Sequence, residues 1–322
     1  MSFEIKLIMF RYFSKLSESK LRKLNLDKIE SFKNMLKNES EVYKWEMAEE
    51  DQKGLLLKGM INNYWSKFQR EMEDQFRRSP EDFLRKQIFL GTVSSPSFPL
   101  LNSENSTYLK TVNRRYPKNE LKKLLLDDFI GKPYISSLRY KSTFVRLQHL
   151  YHITIFESLT GINNLSMNGT IVELGGGYGD MANLVYKNNP NSPTYIIIDL
   201  PIMCKIQYLY LHSIFPEYVH LVTSNKEKIN ESKINIVPLH LISTITNEAD
   251  VFWATYSLTE TNTNVVDLLM QKDFFHAKRY FIAYQSKNED FKEGPMIVSG
   301  LESQFHLRKF TTNRENGNYL YL

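Results

Sequence analysis

Residues 170–187 contain a short apolar run, a glycine-rich turn and a predicted helix in direct succession. The turn carries Gly175, Gly177 and Gly179 at alternate positions, and Glu173 stands two residues before the first of them. A strand–turn–helix unit of this kind lets backbone N–H groups approach a ligand closely. The chain is therefore expected to build a ligand site on a βα unit.

The spacing of these glycines separates two kinds of nucleotide site. A dinucleotide fingerprint, G-x-G-x-x-G, would need its third glycine at position 180, which is Asp180. The pattern E-x-G-x-G-x-G instead resembles the first motif of S-adenosylmethionine-dependent methyltransferases, in which the glycines make room for the methionine part of the cofactor. The resemblance implies S-adenosylmethionine as cofactor, with contacts from Glu173, Gly175, Gly176, Gly177, Tyr178, Gly179, Asp199, Leu200 and Ser257.

A second acidic residue supports this interpretation. The apolar run from Tyr195 to Ile198 ends at Asp199, twenty positions after Gly179. In a βαβ unit the tips of both strands lie side by side, and a carboxylate there can accept hydrogen bonds from ribose hydroxyls. The alternative role for Asp199 is to cap the next helix. The alternative for Glu173 is a buried, hydrogen-bonded residue that only supports the loop.

Composition limits the class of protein. The 322 residues suit about two domains, and 42% hydrophobic with 24% charged residues is typical of a folded, soluble chain. No apolar run approaches the roughly 18–20 residues that span a bilayer. Cys204 is the single cysteine, which favours a reducing cytoplasm. The basic N-terminal half carries no nucleic-acid motif, so solvated helices explain its charge better than a nucleic-acid partner.

The region before residue 131 is predicted to be mainly helical. Ser79 is expected to cap a helix with Pro80 at its first position, and Asn119 a second one. Residues 91–107 are expected to form a loop. We expect residues 1–130 to act as a lid or to make substrate or homo-oligomer contacts, and residues 131–322 to form the cofactor-binding domain.

The C-terminal region alternates between predicted strands and helices. A helix is expected at 142–159, and the alternation from residue 170 to 284 predicts an α/β fold with a parallel sheet covered on both faces. Residues 305–312 and 319–322 flank a polar turn and are typical of a β-hairpin. A terminal antiparallel hairpin closes the class I methyltransferase version of the Rossmann-like sheet.

A more specific resemblance covers residues 131–285. Four stretches are similar to the sugar O-methyltransferase family, a branch of the class I methyltransferases: 151–152, 172–179, 198–201 and 257–260. The resemblance implies transfer of a methyl group to a hydroxyl of a sugar, sugar nucleotide or glycan. It also implies a place in polysaccharide biosynthesis.

Methyl transfer to a hydroxyl calls for alignment of the acceptor and for a general base. Glu260 follows the predicted fourth strand, and His149 and His152 are spaced to share one face of a helix. Glu260 and His152 are the candidate bases. The alternative for Glu260 is a carboxylate at the start of a helix, and the alternative for His152 is an imidazole on the surface or satisfied in the core. His149, Tyr256 and Gln285 are candidates for acceptor binding.

Other functions are weighed against this one. The loop after the fourth strand lacks the N/D-P-P-Y type of turn that nucleobase methylation usually uses. Asp250 and His276 belong to no spaced metal-ligand set, which predicts metal-independent catalysis. Two alternatives stay open: a non-catalytic cofactor-binding protein on a methyltransferase fold, and a methyltransferase with a non-sugar acceptor.

Overall fold

The computed structural model describes residues 3–38, 42–94, 103–189, 191–285, 290–291, 293–312 and 318–322. Its strands are β1 Thr170–Leu174, β2 Thr194–Asp199, β3 Val219–Leu221, β4 Ile234–Pro238, β5 Val251–Thr255, β6 Tyr280–Tyr284, β7 Arg308–Thr311 and β8 Asn318–Tyr321. Its helices are α1 Phe3–Leu24, α2 Leu26–Lys37, α3 Trp45–Leu57, α4 Asn63–Arg78, α5 Gln87–Thr92, α6 Ser103–Arg115, α7 Lys118–Leu124, α8 Phe144–Thr160, α9 Asp180–Asn188, α10 Pro201–His212, α11 Thr263–Gln271 and α12 Gly294–Phe305.

The strands form a single mixed sheet in the order β3-β4-β2-β1-β5-β6-β8-β7. The first six are parallel, and β8 pairs antiparallel with both β6 and β7. The predicted fold class, a Rossmann-like sheet of the class I methyltransferase type closed by an antiparallel hairpin, is confirmed by this order. The chain leaves β1 toward β2 and later returns to its other side at β5, so the sheet's switch point lies at β1.

The central strands are buried because helices cover both faces of a parallel sheet. Residues 194–198 of β2 are all buried, and this β-branched run pairs in register with β1. Val172, Ile196 and Phe252, on three neighbouring strands, belong to one apolar cluster. The carboxyl ends of β1, β2, β4, β5 and β6 therefore meet at one edge of a rigid layer.

The N-terminal helices follow the predicted boundaries only in part. The start predicted at Ser79 and Pro80 is confirmed, but Pro80–Arg85 is a 3₁₀ helix, and the Ser79 hydroxyl donates to the Asp82 side chain rather than accepting from a helix N–H. Pro117, not Asn119, occupies the cap position of α7. Helix α6 begins at Ser103, inside the stretch expected to be a loop.

The C-terminal region contains one helix that was not predicted and the two strands of the predicted hairpin. Helix α12 lies in a stretch for which no element was predicted, although Pro295 stands in its first turn. The two strands of the predicted hairpin are confirmed as β7 and β8. The turn predicted between them, at 313–318, lies outside the described residues except for its last position.

The chain divides into two compact units. One contains residues 1–39, 71–155 and 212–214, and the other contains residues 40–70, 156–211 and 215–322. The segment 40–70 therefore belongs to the unit of the sheet and residues 131–155 to the helical one, whereas the sequence suggested one boundary after residue 130. The roles expected for the two regions stay predictions.

The helical unit holds a buried ionic cluster. The Arg146 guanidinium lies 4.0 Å from the Asp127 carboxylate and 3.6 Å from that of Asp128, and it donates to the Leu126 carbonyl at 2.9 Å. Lys28 pairs with Asp128 as well. Arg146 is thus engaged in an internal network of this unit.

No helix among the described residues is long and apolar enough to cross a bilayer.

Candidate functional site

The glycine turn between β1 and α9 has the conformation that its residues require. Gly175, Gly177 and Gly179 have φ values of +73°, +57° and +98°, in the left-handed region that L side chains rarely adopt. The Gly175 N–H donates to the Ile198 carbonyl at 2.8 Å, and that of Gly179 donates to the Gly176 carbonyl at 2.9 Å. The first bond ties the turn directly to the end of β2.

Packing within the protein also demands glycine in this turn. A Cβ at Gly175 would collide with the Cβ of Ser257, and a Cβ at Gly179 would lie 2.9 Å from Leu211 Cδ1. At these two positions the missing side chain makes room for neighbours in the same chain. This differs from the sequence interpretation, in which the space was assigned to a ligand.

Asp199 lies at the tip of β2, beside this turn. The Leu200 N–H donates to Asp199 Oδ1 at 2.8 Å, and Gln207 Nε2 donates to Oδ2 at 2.6 Å. Burial raises the pKa of Asp199 to about 7, although these hydrogen bonds and the backbone N–H groups of Gly176 and Gly177 act to lower it. The structure therefore confirms that the Asp199 carboxylate lies close to the glycine turn, as the sequence predicts.

Gln207, on α10, was missed by the sequence reasoning. Its Nε2 bridges Asp199 and the Gly177 carbonyl, to which it donates at 2.8 Å. Its Oε1 is buried and has no hydrogen-bond partner among the described residues. An unsatisfied acceptor next to a carboxylate fits a ligand that brings hydroxyl donors, such as a ribose. A glutamine two turns into a helix carries no signal of this role in the sequence.

Glu173 lies beneath the turn and is buried. The Tyr195 hydroxyl donates to Glu173 Oε2 at 2.9 Å, and burial raises the pKa of Glu173 to about 8. A Cβ at Gly176 would lie 3.2 Å from the same carboxylate oxygen. Tyr178 is also buried, with its ring edge-on to Tyr210 at 5.0 Å. These contacts agree with a supporting role for Glu173, and direct contact with a cofactor stays a prediction.

The turn after β5 reaches the glycine loop from the other side. The Ser257 hydroxyl donates to the Leu174 carbonyl at the end of β1. Tyr256 has φ +71° and ψ −35°, a strained conformation for a residue with a side chain, and its N–H donates to the Ala283 carbonyl at 2.8 Å. Strain of this kind clusters at functional sites.

Glu260 ends the 3₁₀ turn Ser257–Glu260. Side chains three residues apart eclipse each other in a 3₁₀ helix, so Ser257 and Glu260 project from the same side of the turn. Burial raises the pKa of Glu260 to about 7, so this carboxylate can take up a proton near neutral pH. Among the predicted acceptor residues, Tyr256 and Gln285 follow β5 and β6 directly, at the same edge of the sheet.

The two histidines lie on the part of α8 that belongs to the helical unit. His152 is 1% exposed, and burial, with His149 as the second cause, lowers its pKa to about 3. A histidine with such a pKa is neutral at physiological pH and is a weak base. Glu260 is therefore the better candidate, and the roles of His149 and His152 stay predictions.

A segment distant in sequence is fastened to the Glu260 turn. The Asn62 side-chain amide donates to the Glu260 carbonyl at 2.8 Å. Two further side-chain amides, from Asn262 and Asn264, donate to the Gly59 carbonyl at 2.6 and 2.9 Å. We call these three hydrogen bonds the amide latch. No sequence pattern indicates that Gly59 and Asn62 in particular bond to this turn.

The residues considered for a metal have other partners. Asp250 pairs with Lys278 at 2.7 Å and accepts from the Thr170 N–H, and His276 lies 2.9 Å from Asp273. In the part of the chain that the structure describes, no group of three or more His, Cys, Asp or Glu side chains could hold a metal ion. Metal-independent catalysis stays a prediction.

Comparisons with known proteins find similar solved structures at low sequence identity. No family model matches the chain, and no curated protein matches its sequence. Among solved structures, the SAH-bound methyltransferase PaMTH1 of Podospora anserina is 10% identical, with 69% of this chain and 88% of that one covered, at a TM-score of 0.37. The CurJ carbon methyltransferase is 10% identical, with 99% of this chain and 96% of that one covered, at a TM-score of 0.37. The mitomycin 7-O-methyltransferase MmcR is 12% identical, with 80% of this chain and 67% of that one covered, at a TM-score of 0.35. No residue role is taken from these distant structures.

Proposed function

We propose that the chain is an S-adenosylmethionine-dependent methyltransferase that methylates a hydroxyl of a saccharide or sugar nucleotide. One observation carries the proposal. A left-handed glycine turn and the Asp199 carboxylate are joined by hydrogen bonds at the carboxyl ends of adjacent strands, at the switch point of the sheet. Open α/β sheets bind their ligands at this place.

The residues around Asp199 suit the nucleoside part of the cofactor. The Asp199 carboxylate would accept hydrogen bonds from the ribose hydroxyls, and Gln207 Oε1 would gain the donor that it lacks. The Gln207 amide is the side-chain donor to Asp199 and can shift more easily than the backbone N–H groups beside it. When bound, S-adenosylmethionine supplies a methyl group on a positively charged sulfur.

Glu260 is assigned the role of general base. Its carboxylate would take the proton of the acceptor hydroxyl as the new O–C bond forms, which avoids a positively charged ether. Its raised pKa, about 7, places this proton transfer near physiological pH. The rate of methyl transfer should therefore rise with pH through neutrality, as Glu260 loses its proton.

The choice of a sugar hydroxyl is supported by the resemblance of stretches 151–152, 172–179, 198–201 and 257–260 to sugar O-methyltransferases. Tyr256 and Gln285, at the carboxyl ends of β5 and β6, are the residues proposed to contact the acceptor. His149 and His152 are retained as candidates of lower rank, because the pKa of His152 disfavours proton uptake.

The test uses methyl-labelled S-adenosylmethionine with a panel of free sugars, sugar nucleotides and glycan extracts. We expect label to enter at least one acceptor, and Glu260→Gln to reduce this transfer while S-adenosylhomocysteine binding is retained. Binding without transfer to any acceptor would favour a non-catalytic cofactor-binding protein. Transfer only to phenols or amines would keep the methyltransferase and overturn the sugar assignment.

A further inference from the structure

Four aromatic rings form a cluster in the unit of the sheet. Tyr64 stacks on Phe68 with ring centroids 4.3 Å apart. Trp65 and Phe291 are in T-shaped contact with the Tyr64 ring at centroid distances of 5.6 and 4.8 Å. We call Tyr64, Trp65, Phe68 and Phe291 the aromatic cluster. Three of these rings come from the first two turns of α4, and none was singled out by the sequence analysis.

The amide latch fixes the aromatic cluster beside Glu260. Asn62 Nδ2 holds the Glu260 carbonyl, while Asn62 Oδ1 accepts from the Trp65 N–H at 2.9 Å. One side chain therefore joins the first turn of α4 to the residue that we assign as general base. The Glu260 carboxylate is close enough to Tyr64 to raise the pKa of its hydroxyl, after burial as the larger cause.

The cluster is incompletely covered by the described residues. Tyr64, Trp65 and Phe68 are each partly exposed, whereas Phe291 is buried. Partly exposed aromatic rings beside a base form a surface on which the apolar face of a ring can stack. An aliphatic side chain would fill the same volume without offering such a face.

The charges that act on the Tyr64 hydroxyl are negative. Asp290 raises the pKa of this hydroxyl as the third cause, after burial and Glu260. The Glu260 and Asp290 carboxylates would repel a phosphate or carboxylate on the acceptor. An uncharged acceptor is favoured over a sugar nucleotide.

We propose that the aromatic cluster and Glu260 form the acceptor subsite, which takes an uncharged compound carrying its hydroxyl on a six-membered ring that stacks on Tyr64 or Trp65. This inference rests on the proposed function, because Glu260 is useful as a base only beside a methyl donor. The same chemistry is found in neutral pyranosides and in phenols.

The intrinsic fluorescence of Trp65 provides the test. Trp45 and Trp253 are buried, so an added ring compound should quench chiefly Trp65. The 322-residue chain, saturated with S-adenosylhomocysteine, is titrated with methyl hexopyranosides and with phenol. Glucose 1-phosphate, UDP-glucose and 4-hydroxybenzoate are the anionic counterparts. We expect saturable quenching by at least one neutral series, at least roughly tenfold weaker binding of its anionic counterpart, and loss of the signal in Trp65→Phe.

Variants give the second readout. Tyr64→Leu keeps apolar volume and removes the stacking face, so it should weaken binding of the neutral compound roughly tenfold, the equivalent of about 1.4 kcal/mol. Tyr218→Leu, at a half-exposed tyrosine outside the cluster, is the matched control and should bind normally. The affinity for S-adenosylhomocysteine should stay within about twofold in both.

The outcomes separate the two proposals. If S-adenosylhomocysteine does not bind, the proposed function fails. If it binds but no neutral compound quenches Trp65, or the anionic compounds bind more tightly, the acceptor subsite alone is overturned. A preference for pyranosides supports a sugar acceptor, and a preference for phenol assigns the same subsite to an aromatic one.

Discussion

The two halves of the candidate site are assembled in different ways. The proposed cofactor half, from Glu173 to Asp199, comes from one βαβ unit of about thirty residues. The acceptor half joins Glu260 to Tyr64 through amides that bond across about two hundred residues, such as Asn262 to Gly59. The first half is specified by local spacing and is visible in the sequence. The second depends on tertiary contacts that no short pattern encodes.

The largest effect is expected from Gly175→Ala in the cofactor half. The new Cβ collides with Ser257, and the alanine has to adopt a φ of +73°. We therefore expect a loss of about 2–4 kcal/mol in the free energy of unfolding, or a loss of more than roughly tenfold in the affinity for S-adenosylhomocysteine. Thermal unfolding and calorimetry measure both. Gly300→Ala, which meets nothing within 4 Å on α12, should be neutral or slightly stabilising.

A second substitution sharpens that result. Ser257→Gly combined with Gly175→Ala removes the side chain that collides, so part of the loss should be recovered. No recovery in the double variant would mean that the collision with Ser257 is not the cause, and that the positive φ alone accounts for the cost.

Asp199→Ala is expected to have the next largest effect. It removes the acceptor proposed for the ribose hydroxyls, so affinity for S-adenosylhomocysteine should fall roughly ten- to hundredfold, about 1.4–3 kcal/mol. Unfolding stability should fall by only about 1 kcal/mol, because the Leu200 N–H and Gln207 Nε2 lose their acceptor while a carboxylate that is costly to ionise in place is removed. Asp267→Ala, at an exposed position of α11, serves as control. Equal affinity in Asp199→Ala and the parent protein would remove Asp199 from the site.

Glu173 should make stability depend on pH. Its folded-state pKa of about 8 lies above the ordinary 4.5, so the folded chain binds this proton more tightly than the unfolded chain does. The stabilisation is complete below about pH 4.5 and is lost as pH rises toward 8. Glu173→Gln should therefore gain about 1–3 kcal/mol over the parent at pH 8 and little at pH 5, as read from urea unfolding. The same difference at both pH values would contradict the assignment.

The smallest effect is expected in the acceptor half. Asn62→Ala removes one hydrogen bond to the Glu260 carbonyl and one to the Trp65 N–H, so acceptor turnover should fall several-fold, about 1 kcal/mol, with S-adenosylhomocysteine affinity unchanged. Asn230→Ala, at an exposed asparagine near β4, is the matched control. An equal loss of cofactor affinity would show that the two halves are not independent.

These differences explain what the sequence could predict. The position of Asp199 beside the glycine turn was predictable because the length of a βαβ unit fixes the distance between its strand tips. Strands β7 and β8 were predicted because the segments 305–312 and 319–322 flank a polar turn. Gln207 was missed, since its role comes from an unsatisfied oxygen rather than from a motif. Tyr64 was missed because its neighbours come from residues 260 and 291, and the glycines at 175 and 179 turned out to accommodate Ser257 and Leu211.

Calorimetric titration of the 322-residue chain with S-adenosylhomocysteine at pH 8 tests the central claim most directly, since Asp199 is then mostly ionised. We expect one binding site per chain, and weaker binding at pH 6 as this carboxylate gains a proton. Heat no greater than that of dilution, at both pH values and with the protein folded, would contradict the account.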